Sequence, residues 1–300
     1  MYDIIIIGGG PAGLTAALYS LRANKKVLVI EKGSFGGQIT YSPKVENIPG
    51  FLSVTGNEFA EKLVEQVLEQ GGEIELCEAT AINDGDIKTV VTDSGEFTAK
   101  SVIIATGAKH RLLGLDNEEK FIGDGISFCA VCDGAFYKDK TVAVIGGGNS
   151  ALQEALLLSE LAKKVFIVQN LDFLTGEERL AEQVNSKANI EVILGTTVKE
   201  IIEGDTFSGI IIHNEKSGDD STLQLDGMFI AIGLIPQNEA FSDLITLNNW
   251  GYADSDESCI TKTDGIFVSG DCRSKTVRQV ATAAADGAVA ALQACKYIDN

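Results

Sequence analysis

The sequence predicts an α/β protein with two Rossmann-like domains, the second inserted into the first. A glycine-rich turn follows a short apolar strand near the N-terminus, and a similar turn recurs in the middle of the chain. A third glycine-bearing strand precedes an Ala-rich segment at the C-terminal end. At 300 residues the chain exceeds one ordinary domain and fits two of moderate size.

The first turn has the spacing of a dinucleotide-binding fingerprint. Gly8, Gly10 and Gly13 follow a β-branched strand and open a helix in the order G-x-G-x-x-G. This spacing permits a tight turn, close approach of a pyrophosphate to the backbone, and close packing of helix on strand. The next strand ends in Glu31, whose carboxylate is placed to accept hydrogen bonds from an adenosine ribose.

The same pattern recurs before the middle helix. Gly146, Gly148 and Ala151 follow an apolar strand in the related G-x-G-x-x-A form, and a helix and a strand come next. Gln169 then stands where Glu31 stands in the first repeat. A neutral amide still bonds a ribose hydroxyl but brings no charge.

A third βα unit closes the chain. Residues 265–271 form an apolar strand that ends in a polar turn, and an Ala-rich helix extends to about Lys296. This unit most economically returns the chain to the first domain. We therefore expect a first domain of residues 1–116 and 242–300, and an inserted domain of residues 117–241.

The charge balance excludes several classes of function. The formal net charge is −19, and 45% apolar with 22% charged residues is typical of a soluble globular protein. Such a field repels nucleic-acid backbones and anionic lipid. No apolar run reaches the roughly 18 residues of a membrane-spanning helix. We expect no nucleic-acid or membrane partner, and the low cysteine content favours a cytoplasmic location.

Cys129 and Cys132 form the one close cysteine pair of the sequence. Thiols separated by two residues close a disulfide with little backbone movement, and this spacing lowers the pKa of one thiol. Asp133 follows at once and is placed to hold or relay the proton released by a thiol. The alternative is half of a zinc site, but the ligands left over are scattered and include only His110 and His213. Redox chemistry is the favoured interpretation, and no metal is predicted.

Along essentially its whole length the chain resembles the low-molecular-weight thioredoxin reductases. A cysteine motif followed at once by a second glycine turn is specific to this group, and the resemblance implies two domains of the FAD/NAD(P)-binding type. The other matching motifs are Gly36-Gly37-Gln38, residues 45–50, Ala105-Thr106-Gly107, Gly270-Asp271 and Arg278-Gln279.

The resemblance implies FAD as the cofactor of the first domain. It places Glu31 on the ribose, Asp271 on the ribityl chain, and Asn47 with Gln279 among the residues around the isoalloxazine. The residues implied to bind FAD are Gly8, Gly10, Pro11, Ala12, Gly13, Glu31, Lys32, Gly36, Gly37, Gln38, Asn47, Ala81, Ala105, Thr106, Gly107, Gly270, Asp271, Arg278, Gln279, Val280 and Ala283.

The resemblance also implies the roles of the redox residues. Cys132 meets the flavin, Cys129 attacks the disulfide of thioredoxin, and Asp133 is the proton donor or acceptor. It further implies a homodimer whose two domains rotate, so that the cysteine pair faces first the flavin and then thioredoxin.

The match fails where the family binds NADPH. The strand after the second glycine turn is expected to end in a His-Arg-Arg-type motif, yet residues 169–175 contain no Lys, Arg or His. No cation lies between Lys164 and Arg179. A 2′-phosphate would lose charge-assisted hydrogen bonds worth about 1.5–3 kcal/mol each. NADH, in turn, calls for an acid at the position of Gln169.

The sequence therefore favours reduced ferredoxin as the electron donor, as in the similar ferredoxin-dependent flavin thioredoxin reductases. The alternatives are an NAD(P)H-dependent thioredoxin reductase, an O2-using dithiol oxidase of the same fold, and a non-enzymatic flavoprotein. The intact cysteine pair argues against the last of these. Because ferredoxins are usually acidic, docking on this acidic chain needs a local basic patch. The two candidate clusters are Lys109-His110-Arg111 and Arg273 with Lys275 and Arg278.

Overall fold

The computed structural model describes residues 1–42, 44–202, 204 and 206–300. The helices are α1 (Pro11–Arg22), α2 (Gly56–Glu69), α3 (Ala130–Asp133), α4 (Asn149–Ser159), α5 (Glu178–Ser186) and α6 (Val280–Asp299). The strands are β1 (Tyr2–Ile7), β2 (Val27–Glu31), β3 (Glu73–Leu76), β4 (Ala79–Asn83), β5 (Lys88–Thr92), β6 (Gly95–Ile104), β7 (Ala108–His110), β8 (Ile126–Ser127), β9 (Thr141–Ile145), β10 (Lys164–Val168), β11 (Ile190–Ile193), β12 (Thr196–Ile201), β13 (Gly209–Asn214), β14 (Asp220–Gln224), β15 (Gly227–Ile230), β16 (Leu234–Pro236) and β17 (Ile266–Val268). None of the helices within these ranges is long and apolar enough to cross a membrane.

The chain folds into two compact units, the second inserted into the first. Unit 1 comprises Met1–Lys109 and Ile235–Asn300, and unit 2 comprises His110–Leu234. Both boundaries lie earlier in the chain than the expected ones at 116/117 and 241/242. The reason is that β7 pairs with β16, so the chain passes between the units within this short ribbon rather than in the loops that follow it.

A mixed sheet forms the centre of unit 1. Its strand order is β3-β2-β1-β6-β5-β4, and β17 also pairs with β6. β1, β2, β3, β17 and the second half of β6 run parallel, whereas β4, β5 and the first half of β6 form an antiparallel meander. Parallel strands covered on both faces are apolar along their whole length. The isoleucines of β1 are accordingly all buried.

Small side chains let α6 lie close against α1 in unit 1. Ala16 and Ala17 of α1 share one buried cluster with Ala290 and Ala294 of α6. At Gly287 there is no room for a side chain, because a Cβ would lie 2.1 Å from the carbonyl oxygen of Ala12. The Ala-rich composition of the last helix therefore reflects this close contact.

Unit 2 repeats the parallel arrangement on a smaller scale. Its main sheet has the order β11-β10-β9-β15-β8 and is parallel throughout. α4 packs on one face of this sheet, and the antiparallel sheet β12-β13-β14 packs on the other. The predicted α/β fold with two Rossmann-like domains is confirmed.

Replacing Gly287 by Ala is expected to destabilise unit 1 by roughly 1–3 kcal/mol, because the added methyl group would overlap the carbonyl of Ala12. Gly85→Ala is the matched control: this exposed glycine would place its Cβ 3.4 Å from the nearest heavy atom. Its effect is expected to stay within ~0.5 kcal/mol. Urea unfolding followed by circular dichroism measures both, and a parental midpoint for Gly287→Ala would contradict the helix contact.

Candidate functional site

The first glycine turn lies at the carboxyl ends of β1 and β6. Gly8 has φ +114°, a backbone conformation that favours glycine, and a Cβ there would lie 2.2 Å from the carbonyl oxygen of Ala105. A Cβ on Gly13 would lie 1.9 Å from the carbonyl oxygen of Gly8. α1 begins at Pro11, so the free amides and the positive dipole end of this helix face the turn.

Glu31 directs its carboxylate at this turn from the end of β2. Its Oε2 accepts a hydrogen bond from the amide of Gly9 at 2.7 Å, and its Oε1 accepts one from Gly33 at 2.8 Å. These bonds fix the carboxylate beside the first glycine turn, and its contact with a ribose stays a prediction. Lys32, the next residue, is exposed and forms an ion pair with Glu78 at 3.0 Å.

The closing βα unit brings unpartnered polar atoms to the same sheet edge. Among the described residues, neither Oδ1 of Asp271 nor Oγ of Ser269 has a hydrogen-bond partner, although both atoms are buried. Burial raises the pKa of Asp271, and the positive charges of Lys275 and Arg278 oppose the rise. Buried polar atoms in native proteins are almost always bonded, so these oxygens fit a ligand that carries hydroxyl groups.

The other residues predicted to bind FAD also lie in unit 1. Asn47 donates to Oε1 of Gln279 at 3.1 Å, which joins two segments that are distant in sequence. Gln38 donates to the carbonyl of Ala108. Ala81 lies in β4 and pairs with Val91, and its contact with FAD stays a prediction. The remaining residues of the predicted set in unit 1 are Gly10, Ala12, Gly36, Gly37, Thr106, Gly107, Gly270, Arg278, Val280 and Ala283.

The cysteine pair lies in unit 2 at the start of α3. Cys129 and Cys132 are joined as a disulfide with their Cα atoms 5.3 Å apart, and Val131 between them is 64% exposed. Sγ of Cys129 accepts a hydrogen bond from the amide of Cys132 at 3.2 Å. Because such a donor stabilises negative charge on sulfur, Cys129 is well placed to act as a thiolate. In the described ranges no group of three or more His, Cys, Asp or Glu residues is arranged to hold a metal ion.

Ser127, which the sequence analysis missed, connects Asp133 with the disulfide. Its hydroxyl donates to Oδ2 of Asp133 at 2.6 Å and accepts from the amide of Cys129 at 3.1 Å. Burial raises the pKa of Asp133, and the bond from Ser127 opposes the rise. Oδ1 of Asp133 finds no partner in the part of the chain that is described. No motif spacing marks this serine, so only the folded chain reveals it.

A cavity of about 650 Å³ opens at the second glycine turn in unit 2. Gln169 is only 5% exposed there, and its Nε2 donates to the carbonyl of Phe173 at 3.3 Å. A Cβ on Gly147 would lie 2.6 Å from Cδ of Gln169, so the amide fills the space beside the turn. Considering described residues only, no charged side chain lines this cavity; its walls are Leu113 and residues 145–150, 168–171, 175, 196–198 and 231–233.

A cation from a distant part of the sequence lies near this cavity. Lys216, in the turn between β13 and β14, forms an exposed ion pair with Asp172 at 2.9 Å. Asp172 follows Leu171, which lines the cavity. The sequence between Lys164 and Arg179 holds no cation, but a distant segment supplies one whose charge Asp172 compensates.

In one of the two predicted basic clusters, two of the three residues are withdrawn from the surface, whereas Arg278 is partly exposed. Arg273 is 2% exposed, the side chain of Lys275 is 8% exposed, and both bond to Asp286. The expectation that these two residues help to dock ferredoxin is therefore wrong, because both side chains are buried and paired with the carboxylate of Asp286. Lys109 and Arg111 of the other cluster are exposed.

Comparison with known proteins agrees with this arrangement. A family model described as pyridine nucleotide-disulphide oxidoreductase matches residues 2–287. The chain belongs to this family.

It is 41% identical to the thioredoxin reductase of Listeria monocytogenes over 302 residues, covering 100% of this chain and 95% of that protein. A "34.2 kDa protein in rubredoxin operon" from Clostridium pasteurianum is 40% identical, over 99% of this chain and 97% of that protein. The thioredoxin reductase structure from Streptococcus pyogenes superposes with a TM-score of 0.94 at 40% identity, over 100% of this chain and 98% of that one.

Family membership confirms the class of chemistry predicted from the cysteine pair, disulfide oxidoreduction. Thioredoxin reductases of this family are FAD flavoproteins, which confirms the predicted cofactor. The buried, unpartnered oxygens of Asp271 and Ser269 in this pyridine nucleotide-disulphide oxidoreductase fit such a group.

Replacing Asp133 by Asn is expected to slow disulfide reduction on the order of 100-fold, because an amide neither takes up nor releases a proton. The variant should be at least as stable as the parent at pH 7. Burial raises the folded-state pKa of Asp133, so the free energy of unfolding falls as pH rises from the ordinary value of 3.8 through the raised one. The Asn variant lacks this fall.

Turnover with a disulfide substrate and urea unfolding at acidic and neutral pH measure both effects. Asp124→Asn is the control, since Asp124 is an exposed carboxylate of the same unit. Parental turnover by Asp133→Asn would exclude the proton-transfer role.

Proposed function

We propose that this protein reduces the disulfide of thioredoxin, with FAD bound in unit 1, the Cys129–Cys132 pair in unit 2, and reduced ferredoxin as the electron donor. We further propose that it acts in the cytoplasm as a homodimer. The thioredoxin substrate is supported by the thioredoxin reductases among its relatives. The observation that carries the donor assignment is the uncharged lining of the cavity at the second glycine turn, as far as its residues are described.

When bound, FAD would collect single electrons from the donor and supply the two that reduce the disulfide. The thiolate of Cys129 then attacks one sulfur of the thioredoxin disulfide, which forms a mixed disulfide and releases the other thioredoxin sulfur as a thiolate. The thiolate of Cys132 attacks the sulfur of Cys129, restores the internal disulfide and releases the second thioredoxin sulfur. The two protons of the enzyme dithiol end on the thioredoxin thiols, and Asp133 is placed to carry one.

The two glycine turns differ at the position that contacts an adenosine ribose. The first turn has the carboxylate of Glu31, whereas the second has the neutral Gln169, whose amide nitrogen is bonded to the Phe173 carbonyl. NADPH recognition commonly uses cations that form charge-assisted bonds with the 2′-phosphate. A cavity lined in this way favours the binding of neither NADPH nor NADH.

A relative adds support for an iron-protein donor. The Clostridium pasteurianum protein is described by its place in a rubredoxin operon. A rubredoxin, like a ferredoxin, carries single electrons on cysteine-ligated iron. The association of a close relative with such a carrier favours the same class of donor for this chain.

NAD(P)H is the second candidate donor. The family description and the thioredoxin reductase relatives favour it, and the cavity has the size of a ligand site. Lys216, paired with Asp172, is the cation that a 2′-phosphate would recruit.

Under anaerobic conditions, reduced ferredoxin is expected to bleach the flavin absorbance rapidly, whereas micromolar NADPH or NADH leaves it unchanged. Dithionite is the control that the flavin is reducible. Rapid bleaching by micromolar NADPH would overturn the donor assignment and leave the thioredoxin reductase function standing. Slow reduction by every carrier, together with rapid O2 consumption in a separate aerobic assay with a small dithiol, would support the oxidase instead.

The Lys216→Ala variant separates the two donors further. With ferredoxin as donor, thioredoxin reduction by this variant should match the parent. With NADPH as donor, its KM for NADPH should rise several-fold while that for NADH stays unchanged, because only the former carries the 2′-phosphate. Lys199→Ala is the matched control, since Lys199 is an exposed lysine that pairs with Asp220 in the same β12-β13-β14 sheet.

A further inference from the structure

A buried ion cluster in unit 1 takes no part in the chemistry described above. Asp286 of α6 is 6% exposed, and its carboxylate accepts hydrogen bonds from Arg273 at 3.0 and 3.2 Å. Lys275 donates to the same carboxylate at 3.0 Å, and its side chain is 8% exposed. The two cations outnumber the one buried carboxylate that joins them.

Stability alone does not explain a cluster of this kind. Buried ion pairs are often no more stabilising than apolar residues of the same volume, because each charge loses its hydration. Nη1 of Arg273 donates to the carbonyls of Ser255 and Asp256 at 3.1 and 3.0 Å, and its Nη2 also lies 3.5 Å from the exposed carboxylate of Glu257. The cluster therefore fixes several chain segments in one arrangement.

The turn that carries Asp271 is one of those segments. Oδ2 of Asp286 accepts the amide of Gly270 at 3.1 Å, directly before Asp271. Gly270 has φ +77°, and a Cβ there would lie 2.7 Å from Cβ of Ala12, so the turn is confined from the α1 side as well. Oδ1 of Asp271 is thereby held buried and has no partner among residues in the described ranges.

The charges around Asp271 act on the same carboxyl group. Burial raises its pKa, the charges of Lys275 and Arg278 lower it, and the charge of Asp286 raises it. An ionised carboxylate is the better acceptor for a hydroxyl group. By bonding Lys275, Asp286 keeps that positive charge beside Asp271.

We propose that Asp286 is a positioning residue for the flavin cofactor, which acts through Gly270 and Lys275 to hold the carboxylate of Asp271 towards the ribityl hydroxyls of FAD. This inference rests on the proposed FAD site, to which Asp271 belongs. It extends the part of α6 in cofactor binding from Val280 and Ala283 in its first turn to Asp286 two turns later.

A double-mutant cycle on FAD affinity tests the proposal. The dissociation constant is measured for the parent, Asp286→Asn, Asp271→Asn and the double variant, from the flavin fluorescence released when the holoenzyme is diluted. Asp286→Asn is expected to raise it about tenfold or more. In the Asp271→Asn background the same change should add no more than about twofold, because Asp286 acts through Asp271. Additive effects would overturn the proposal.

Glu118→Gln is the matched control for general destabilisation. Glu118 is also a buried carboxylate, 2% exposed, that accepts backbone amides from Leu113, Gly114 and Leu115, but it lies in unit 2. The variant should lower the unfolding midpoint and leave FAD affinity unchanged. If it weakened FAD binding as much as Asp286→Asn, the inference would fail.

Two further variants keep the test decisive if Asp286→Asn does not fold. Lys275→Met retains the pair between Arg273 and Asp286 and should raise the FAD dissociation constant about tenfold. Lys275→Arg restores the charge and should return it to within about threefold of the parent. Parental affinity in Lys275→Met would contradict the positioning role. Parental affinity in Asp271→Asn would instead overturn the proposed FAD site itself.

Discussion

The cofactor site proposed for unit 1 depends on three parallel strands that end side by side. Past the strand ends the backbone ladder continues, with the amide of Ala105 bonded to the carbonyl of Ile7 at 2.7 Å and the amide of Ser269 to that of Ile104 at 2.9 Å. The turns after β1, β6 and β17 therefore leave the sheet at one edge. Ligands of open parallel sheets bind outside this carboxyl edge. Residues from both ends of the chain meet there because β1 and β17 both pair with β6 in parallel.

Unit 2 builds the same backbone turn with different chemistry. The amide of Gly146 bonds to the carbonyl of Val168 at 2.9 Å, as the amide of Gly8 bonds to that of Ile30 at 2.8 Å. The shape of both turns is set by these ladder bonds and by glycine. The side chain at the end of the following strand differs: unit 1 has the carboxylate of Glu31, and unit 2 has the neutral amide of Gln169. The same backbone turn therefore carries different side-chain chemistry without a change of fold.

Local pattern predicted the elements that local interactions form. The apolar runs and glycine spacings placed β1, α1, β9 and β10, and the spacing of the two cysteines predicted their disulfide. Hydrogen bonds and ion pairs between side chains left no such pattern. The bond from Ser127 to Asp133 is one example, and the burial of basic residues by the carboxylate of Asp286 is another. A charged residue in a sequence is expected to have an exposed side chain. Its burial becomes evident only when the residue that forms an ion pair with it is known.

Recognition of the 2′-phosphate is the property that an NADPH-dependent reductase requires and that the proposed donor does not. Calorimetric titration of the oxidised protein with 2′,5′-ADP and with 5′-AMP measures this property directly and separately from electron transfer. Because no charged side chain lines the described part of the cavity at the second glycine turn, we expect both nucleotides to bind weakly and with equal affinity. Micromolar binding of 2′,5′-ADP, with a preference of about tenfold or more over 5′-AMP, would contradict this account.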